Sequence, residues 1–216
     1  MAEIVMNIIR FPLGSMQANC YFLVSGESCL IVDPADDAAF ILEEIQRRKL
    51  NLLGMLGTHG HFDHMMAVGE IQMSLNIPYY IFAEDQFLID RVDETSEHFL
   101  GYKTNIIKPL NIKYLKEGPF LKNHFGIEVI KTPGHTPGGC CFYLEKEKTI
   151  LSGDLLFKEG VGRFDFLYCS KEDLKKSFNK IYKLPKETKV LSGHGEETIL
   201  FDEKNNVEKY LNFKIS

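Results

Sequence analysis

Long apolar stretches are missing from this 216-residue chain. No run approaches the roughly 20 residues that a membrane-spanning helix needs. The opening M-A-E-I-V-M-N-I-I-R has neither the basic start nor the long apolar segment of a secretory leader, so none is expected. Excess positive charge is missing too: 25 Lys and Arg against 30 Asp and Glu give a net charge of −5. That balance argues against a sequence-independent hold on nucleic acid, which needs a clustered basic face. Lys171, Lys175 and Lys176 read as the exposed side of a helix rather than such a patch. A disulfide framework is also absent, because the five cysteines are odd in number, Cys140 and Cys141 are adjacent, and no C-x-x-C pair occurs. A hairpin turning at Gly26-Glu27 pairs Val24 with Cys29 and leaves Cys20 elsewhere. Reduced, mostly buried thiols in a cytoplasmic protein are expected. What is present, 44% hydrophobic and 12% aromatic residues, suffices for one sizeable core, and a single domain over 1–216 is expected.

Against that background residues 58–64, T-H-G-H-F-D-H, stand out: three histidines and an aspartate follow an apolar run, L-L-G-M-L, that reads as a buried strand. In an extended or turning loop His59 and His61 point to the same side, since side chains alternate with a period of two, so both imidazoles can bind one ion. Asp63 and His64 come as the chain enters an expected helix at 65–76, where its direction turns, and this pair can serve a second ion. Neutral imidazole is the commonest protein ligand for metals, and mixed nitrogen and oxygen ligation suits zinc, with iron and manganese as alternatives. A solvent-facing polar loop does not account for this density of donors.

The rest of the chain supplies further donors at similar places. Strands are expected at 4–11, where Pro12-Leu13-Gly14 breaks the pattern, and at 20–24 and 28–33. A helix capped by Asp36 or Asp37 follows, with Phe40, Ile41, Leu42 and Ile45 facing the core and Arg47-Arg48-Lys49 at its end. Helices and loops are expected from Glu84 to about Pro109, and this is the segment long enough to cover a site. Strand 127–130 stops at T-P-G-H-T-P-G (132–138), a rigid loop holding His135 in a fixed direction. Strands 140–144 and 149–151 come next, the second ending in Ser152-Gly153-Asp154. A helix at 171–182 and a strand at 189–191, ending in S-G-H-G with His194, precede a last helix at 205–211. His59, His135, Asp154 and His194 thus each follow a strand, where sheet-based folds collect function. His98 and His124 are isolated and read as surface or packing residues.

Four motifs, T-H-G-H-F-D-H at 58–64, T-P-G-H-T-P-G at 132–138, S-G-D-L-L-F at 152–157 and S-G-H-G at 192–195, occur in an order that resembles the metallo-β-lactamase superfamily and, within it, the glyoxalase II-like thioesterases. The resemblance implies an α/β fold, a four-layer αββα sandwich with a metal cleft along one edge of its two sheets. It implies that His59, His61 and His135 hold one divalent ion, zinc first, that Asp63, His64 and His194 hold a second, and that Asp154 bridges them. It further implies hydrolysis of a small-molecule thioester, such as S-lactoylglutathione, by a hydroxide bridging the ions, with Asp63 orienting it. A thiolate leaves without a strong acid, and the sequence offers none.

Departures from the pattern mark this as a short form. Only about twenty residues follow His194, whereas glyoxalase II carries a helical extension that builds part of the glutathione site. The loop after Asp154 has Arg163 and Asp165 where glyoxalase II presents a lysine and a tyrosine. Arg163 is expected either to bind a substrate carboxylate bidentately or to pair with Asp165 and order the loop. The G-R-x-D form also resembles persulfide dioxygenases, which would hold a single iron on His59, His135 and Asp154. A lactonase or small-ester hydrolase would use the same residues, and a non-catalytic metal-binding protein is the reading from a different class. Membrane and nucleic-acid partners are not expected, and a homo-oligomer is compatible with the sequence.

Overall fold

The structure, a computed structural model, describes residues 6–122 and 124–215. Its contacts divide the chain into two compact units, one running up to Leu115 and one from Lys116. Each is built on a six-stranded sheet.

In the first unit the strands lie side by side in sequence order: β1 (Asn7–Leu13), β2 (Ala18–Ser25), β3 (Ser28–Val32), β4 (Asn51–Leu56), β5 (Tyr79–Ile81) and β6 (Ile112–Tyr114). The β1–β2–β3 meander is antiparallel, and Val24 pairs with Cys29, as the turn at Gly26 requires, while Cys20 sits opposite Phe11 of β1. From β3 to β6 the pairing is parallel. Parallel neighbours need crossovers, which are supplied by α1 (Ala38–Arg47), by α2 (Val68–Ser74), and by α3 (Gln86–Asp90) with α4 (Val92–Leu100). Asp37 caps α1, its carboxylate accepting from the Phe40 amide. Ile41 and Ile45 of α1 and Val68 and Ile71 of α2 join Phe22, Ile31, Met55 and Tyr79 in one apolar cluster, where each fully buried large side chain contributes about 1.5–3 kcal/mol. The alternate residues Tyr21, Leu23, Leu30 and Val32 are buried as well.

The second unit contains β7 (Gly118–Phe120), β8 (Ile127–Lys131), β9 (Cys140–Leu144), β10 (Thr149–Gly153), the small hairpin β11 (Leu156–Phe157) and β12 (Gly160–Val161), α5 (Lys171–Ile181), β13 (Lys189–Ser192), β14 (Thr198–Ile199) and α6 (Lys204–Leu211). The sheet order is β14-β13-β10-β9-β8-β7. Leu174, Phe178 and Ile181 of α5 and Val207 and Leu211 of α6 cover Cys141, Tyr143, Ile150 and Val190.

Strand direction decides where the polar residues fall. β3, β4 and β5 run parallel, so their C-terminal ends share one edge of the first sheet. In the second, β8 is antiparallel to β9, β9 is antiparallel to β10, and β10 is parallel to β13, so β8, β10 and β13 also end at one edge. Loops beyond the carboxyl ends of such strands are where open α/β sheets bind ligands.

Three expectations need correction. The first strand continues through Pro12 to Leu13, because β1 is an edge strand on which a missing N–H breaks no ladder; the expected start at Ile4 lies outside the described residues. The helix expected at 65–76 begins only at Val68. A 3-10 turn (Phe62–His64) precedes it, and Met65 leaves helical geometry at φ −142° and ψ 7°. Strands β6, β7 and β14 were not expected, and all three are two or three residues long. Among the described residues no helix is long and apolar enough to cross a membrane.

All five cysteines are free thiols, four of them buried and Cys169 partly exposed. Burial pushes the Cys29 and Cys141 thiols up to about 12 and raises Cys20 well above the ordinary value. Since the thiolate is the reactive form, a thiol-specific chromogenic reagent is expected to titrate Cys169 slowly in the native protein and all five cysteines in denaturant. Rapid reaction of two or more native thiols would contradict this packing.

Candidate metal centre

In the first unit β4 delivers the chain into T-H-G-H-F-D-H. The backbone is tied on both sides as it leaves the sheet, by Asp33 N to Leu56 O at 2.8 Å and Gly57 N to Tyr80 O at 2.8 Å. Asp33, only 1% exposed, then organises the loop. Its carboxylate accepts from the Thr58 amide and the Thr58 hydroxyl, each at 2.7 Å, and lies 3.0 Å from His64 Nδ1. Because the Thr58 hydroxyl donates to Asp33, its oxygen lone pair faces His59 Nδ1 at 3.0 Å and receives that N–H. His59 and His64 are both held through Nδ1, leaving Nε2 as the nitrogen with a lone pair, as second-layer hydrogen bonds do at metal sites. His64 Nε2 stands 3.8 Å from Asp63 Oδ2.

The donor spacing can be tested against an ion. His59 Nε2 and His61 Nδ1 are 3.0 Å apart. Two nitrogens on one tetrahedral zinc stand about 3.3 Å apart, given Zn–N distances of about 2.0–2.1 Å. The pair fits a shared ion. Asp63 and His64 likewise offer ligand atoms within 4.8 Å of one another.

In the second unit the donors come from three strand ends. The T-P-G-H-T-P-G loop is fixed by Thr132 N to Gly139 O at 2.8 Å, Gly134 N to Thr136 O at 2.9 Å and Ser170 N to Gly134 O at 2.8 Å. Gly134 has φ +138° and sits against Leu174 of α5, where a methyl would meet the Leu174 Cγ at 2.5 Å. His135, 6% exposed, gives its Nδ1–H to the Arg163 carbonyl at 2.7 Å, so its Nε2 faces Asp154 Oδ2 at 3.7 Å. Asp154 follows β10 directly, and its other oxygen, Oδ1, lies 3.8 Å from His194 Nε2. One carboxylate therefore presents a separate oxygen to each of two histidines, one of the ways in which a carboxylate can bridge two cations.

The sequence-derived residues divide accordingly. His59, His61, Asp63 and His64 are gathered in the first unit, and His135, Asp154 and His194 in the second. Arg163 makes a two-pronged pair with Asp165, Nε to Oδ1 at 2.9 Å and Nη2 to Oδ2 at 2.8 Å, with both side chains about 60% exposed at 59% and 63%. The hydrogen bond with Arg163 holds the Asp165 carboxyl below its ordinary range. His98 and His124 are exposed and belong to no donor group among the described residues.

Sequence reasoning misses Asp33, which reads only as the last residue of the strand expected at 28–33, and the carbonyl of Arg163, which no side-chain pattern reveals. The available signal for Asp33 was its place at the end of an apolar strand followed by proline, parallel to the strand that precedes the histidines. Asp33→Ala is expected to weaken metal binding by about 10–100-fold, the usual effect of removing a partner of a ligating histidine. Isothermal titration with zinc measures it, and an unchanged affinity would refute the role.

A family model described as the metallo-beta-lactamase superfamily matches residues 13–194. The chain is 37% identical over 198 residues to the probable metallo-hydrolase YqgX of Bacillus subtilis (strain 168), covering 91% of this chain and 93% of that protein. It is 32% identical over 213 residues to the hydroxyacylglutathione hydrolase GloC of Haemophilus influenzae, covering 97% and 100% respectively. The solved structure of TTHA1623 in a di-iron-bound form is similar with a TM-score of 0.82 and 34% identity, covering 93% of this chain and 96% of that one.

Proposed function

From the premise that the chain belongs to the metallo-beta-lactamase superfamily, we propose that this metallohydrolase is a dinuclear thioesterase acting on S-lactoylglutathione-like substrates. The observation that carries the two-ion reading is Asp154, with Oδ2 toward His135 and Oδ1 toward His194. His59, His61 and His135 take one divalent ion in this reading, Asp63, His64 and His194 the other, and Asp154 spans both. Both units then contribute to one functional domain over 1–216. Zinc suits the nitrogen and oxygen donors, and the di-iron form of TTHA1623 supports iron as the alternative.

Bound divalent ions would supply an acidified water and a Lewis acid for the substrate carbonyl. The protein's own part is positional. Thr58, Asp33 and the Arg163 carbonyl hold the Nδ1 sides of His59, His64 and His135, so that their lone pairs are committed before substrate arrives. Asp63 follows His61 by two residues, and its carboxylate is the group we assign to hydrogen-bond and orient the nucleophile. Arg163 rests on Asp165 in an exposed pair, and such pairs are weak in water, so a substrate carboxylate can take the place of Asp165. That exchange suits a thiol portion such as glutathione, which carries carboxylates. The relative named hydroxyacylglutathione hydrolase supports the thioester class. Five free thiols suit a reducing compartment, which supports a cytoplasmic location.

Metal analysis of the purified protein together with S-lactoylglutathione turnover tests the reading, two ions per chain and hydrolysis being expected. His61→Ala and Asp154→Ala are each expected to abolish turnover while the far-ultraviolet circular dichroism stays that of the parent; parental rates in either would refute the assignment. A single iron with oxygen consumption would instead identify a persulfide dioxygenase, and turnover confined to lactones or simple esters would replace the thioester class.

A further inference from the structure

The segment between β5 and β6 supplies none of the metal donors assigned above. Its first residues form a 3-10 turn, Ala83–Asp85, at the carboxyl end of β5, and α3 follows at once. Asp85 is completely buried, at 0% exposure. Its Oδ2 accepts the backbone N–H of Gly60 at 2.9 Å.

Gly60 is the residue between His59 and His61. Its φ and ψ set the direction of one imidazole relative to the other, so a hydrogen bond on its amide acts on both donors at once. The contact is close as well as polar. A methyl on Gly60 would stand 2.9 Å from the Asp85 carbonyl oxygen, 3.0 Å from its Cβ and 3.1 Å from Leu88 Cβ, so the turn and α3 are seated directly on the loop backbone. A carboxylate removed from water is costly unless it is hydrogen-bonded, and the Gly60 amide is a donor that Asp85 meets.

We propose that Asp85 is a positioning residue for the ion held by His59 and His61, setting the geometry of that pair through the amide of Gly60. The proposal rests on the ligand assignment made above and deepens it: Asp33 bonds His64 directly and reaches His59 through the Thr58 hydroxyl, whereas Asp85 acts on the backbone between His59 and His61.

Titration of the metal-free full-length protein with Co(II), read by visible absorption and by chelator competition, tests it. Asp85→Ala is expected to weaken one of two ions by about 10–100-fold and alter its Co(II) spectrum, while Asp85→Asn, which keeps an oxygen acceptor, stays within about threefold of the parent. Parental affinity for both ions in Asp85→Ala, equal weakening of both, or an Asp85→Asn as weak as Asp85→Ala would overturn it. Should Asp85→Ala not fold, Gly60→Ala decides in its place, since its methyl forces Asp85 away: one weakened ion supports the proposal and unchanged binding overturns it. A parent that binds a single Co(II) ends the two-ion reading yet leaves the same comparison to be made on that ion. A parent that binds none overturns both.

Discussion

The carboxylate of Asp33, taken out of water at the end of β3, is the constraint on which the donor group of the first unit depends. A buried charge must be met by donors, and here the donors are the Thr58 amide, the Thr58 hydroxyl and His64 Nδ1. Meeting them fixes the start and the end of T-H-G-H-F-D-H against one point. It also explains why the helix starts late: His64 is anchored to Asp33, and Met65 behind it leaves helical geometry at φ −142° and ψ 7° before α2 begins at Val68. Local propensity gives way to the site.

The donor group of the second unit is oriented by different means. His135 is oriented by a backbone carbonyl, that of Arg163, and its loop is stiffened by prolines and by hydrogen bonds to the start of α5. Gly162, just before Arg163, lies so close to the Asp154 carbonyl that no side chain fits there. The small hairpin β11–β12 thereby brings the loop from Asp154 back to His135 within a few residues. Its return is fastened by Glu203, buried at 3%, which accepts from the Glu159 amide at 2.8 Å and from the Thr198 hydroxyl at 2.7 Å.

Much of this was legible in the sequence because the central strands carry strong signals. The apolar runs at β4 and β10 were bounded by glycine or a charged residue, and donors followed each within a few residues. The edge strands were not legible. Ile112–Tyr114 and Gly118–Phe120 are three residues each, the second containing a proline, and neither offers enough alternation to separate it from a loop. The supporting carboxylates Asp33 and Asp85 escaped for another reason: each accepts from a backbone amide 25 positions away, and only strand direction brings them to the same edge. Donors to a metal announce themselves by type, whereas the groups that aim those donors are defined by where the chain returns.

The first sheet ends on β1, which keeps Asn7, Arg10 and Pro12 on its exposed positions. A strand from another molecule adding to that border would find a charged side chain in its path and, at Pro12, no amide to bond. Such a margin discourages the sheet from growing from copy to copy. At high concentration the molecule is thus protected from fibrous association at that border by two residues that the binding site never uses.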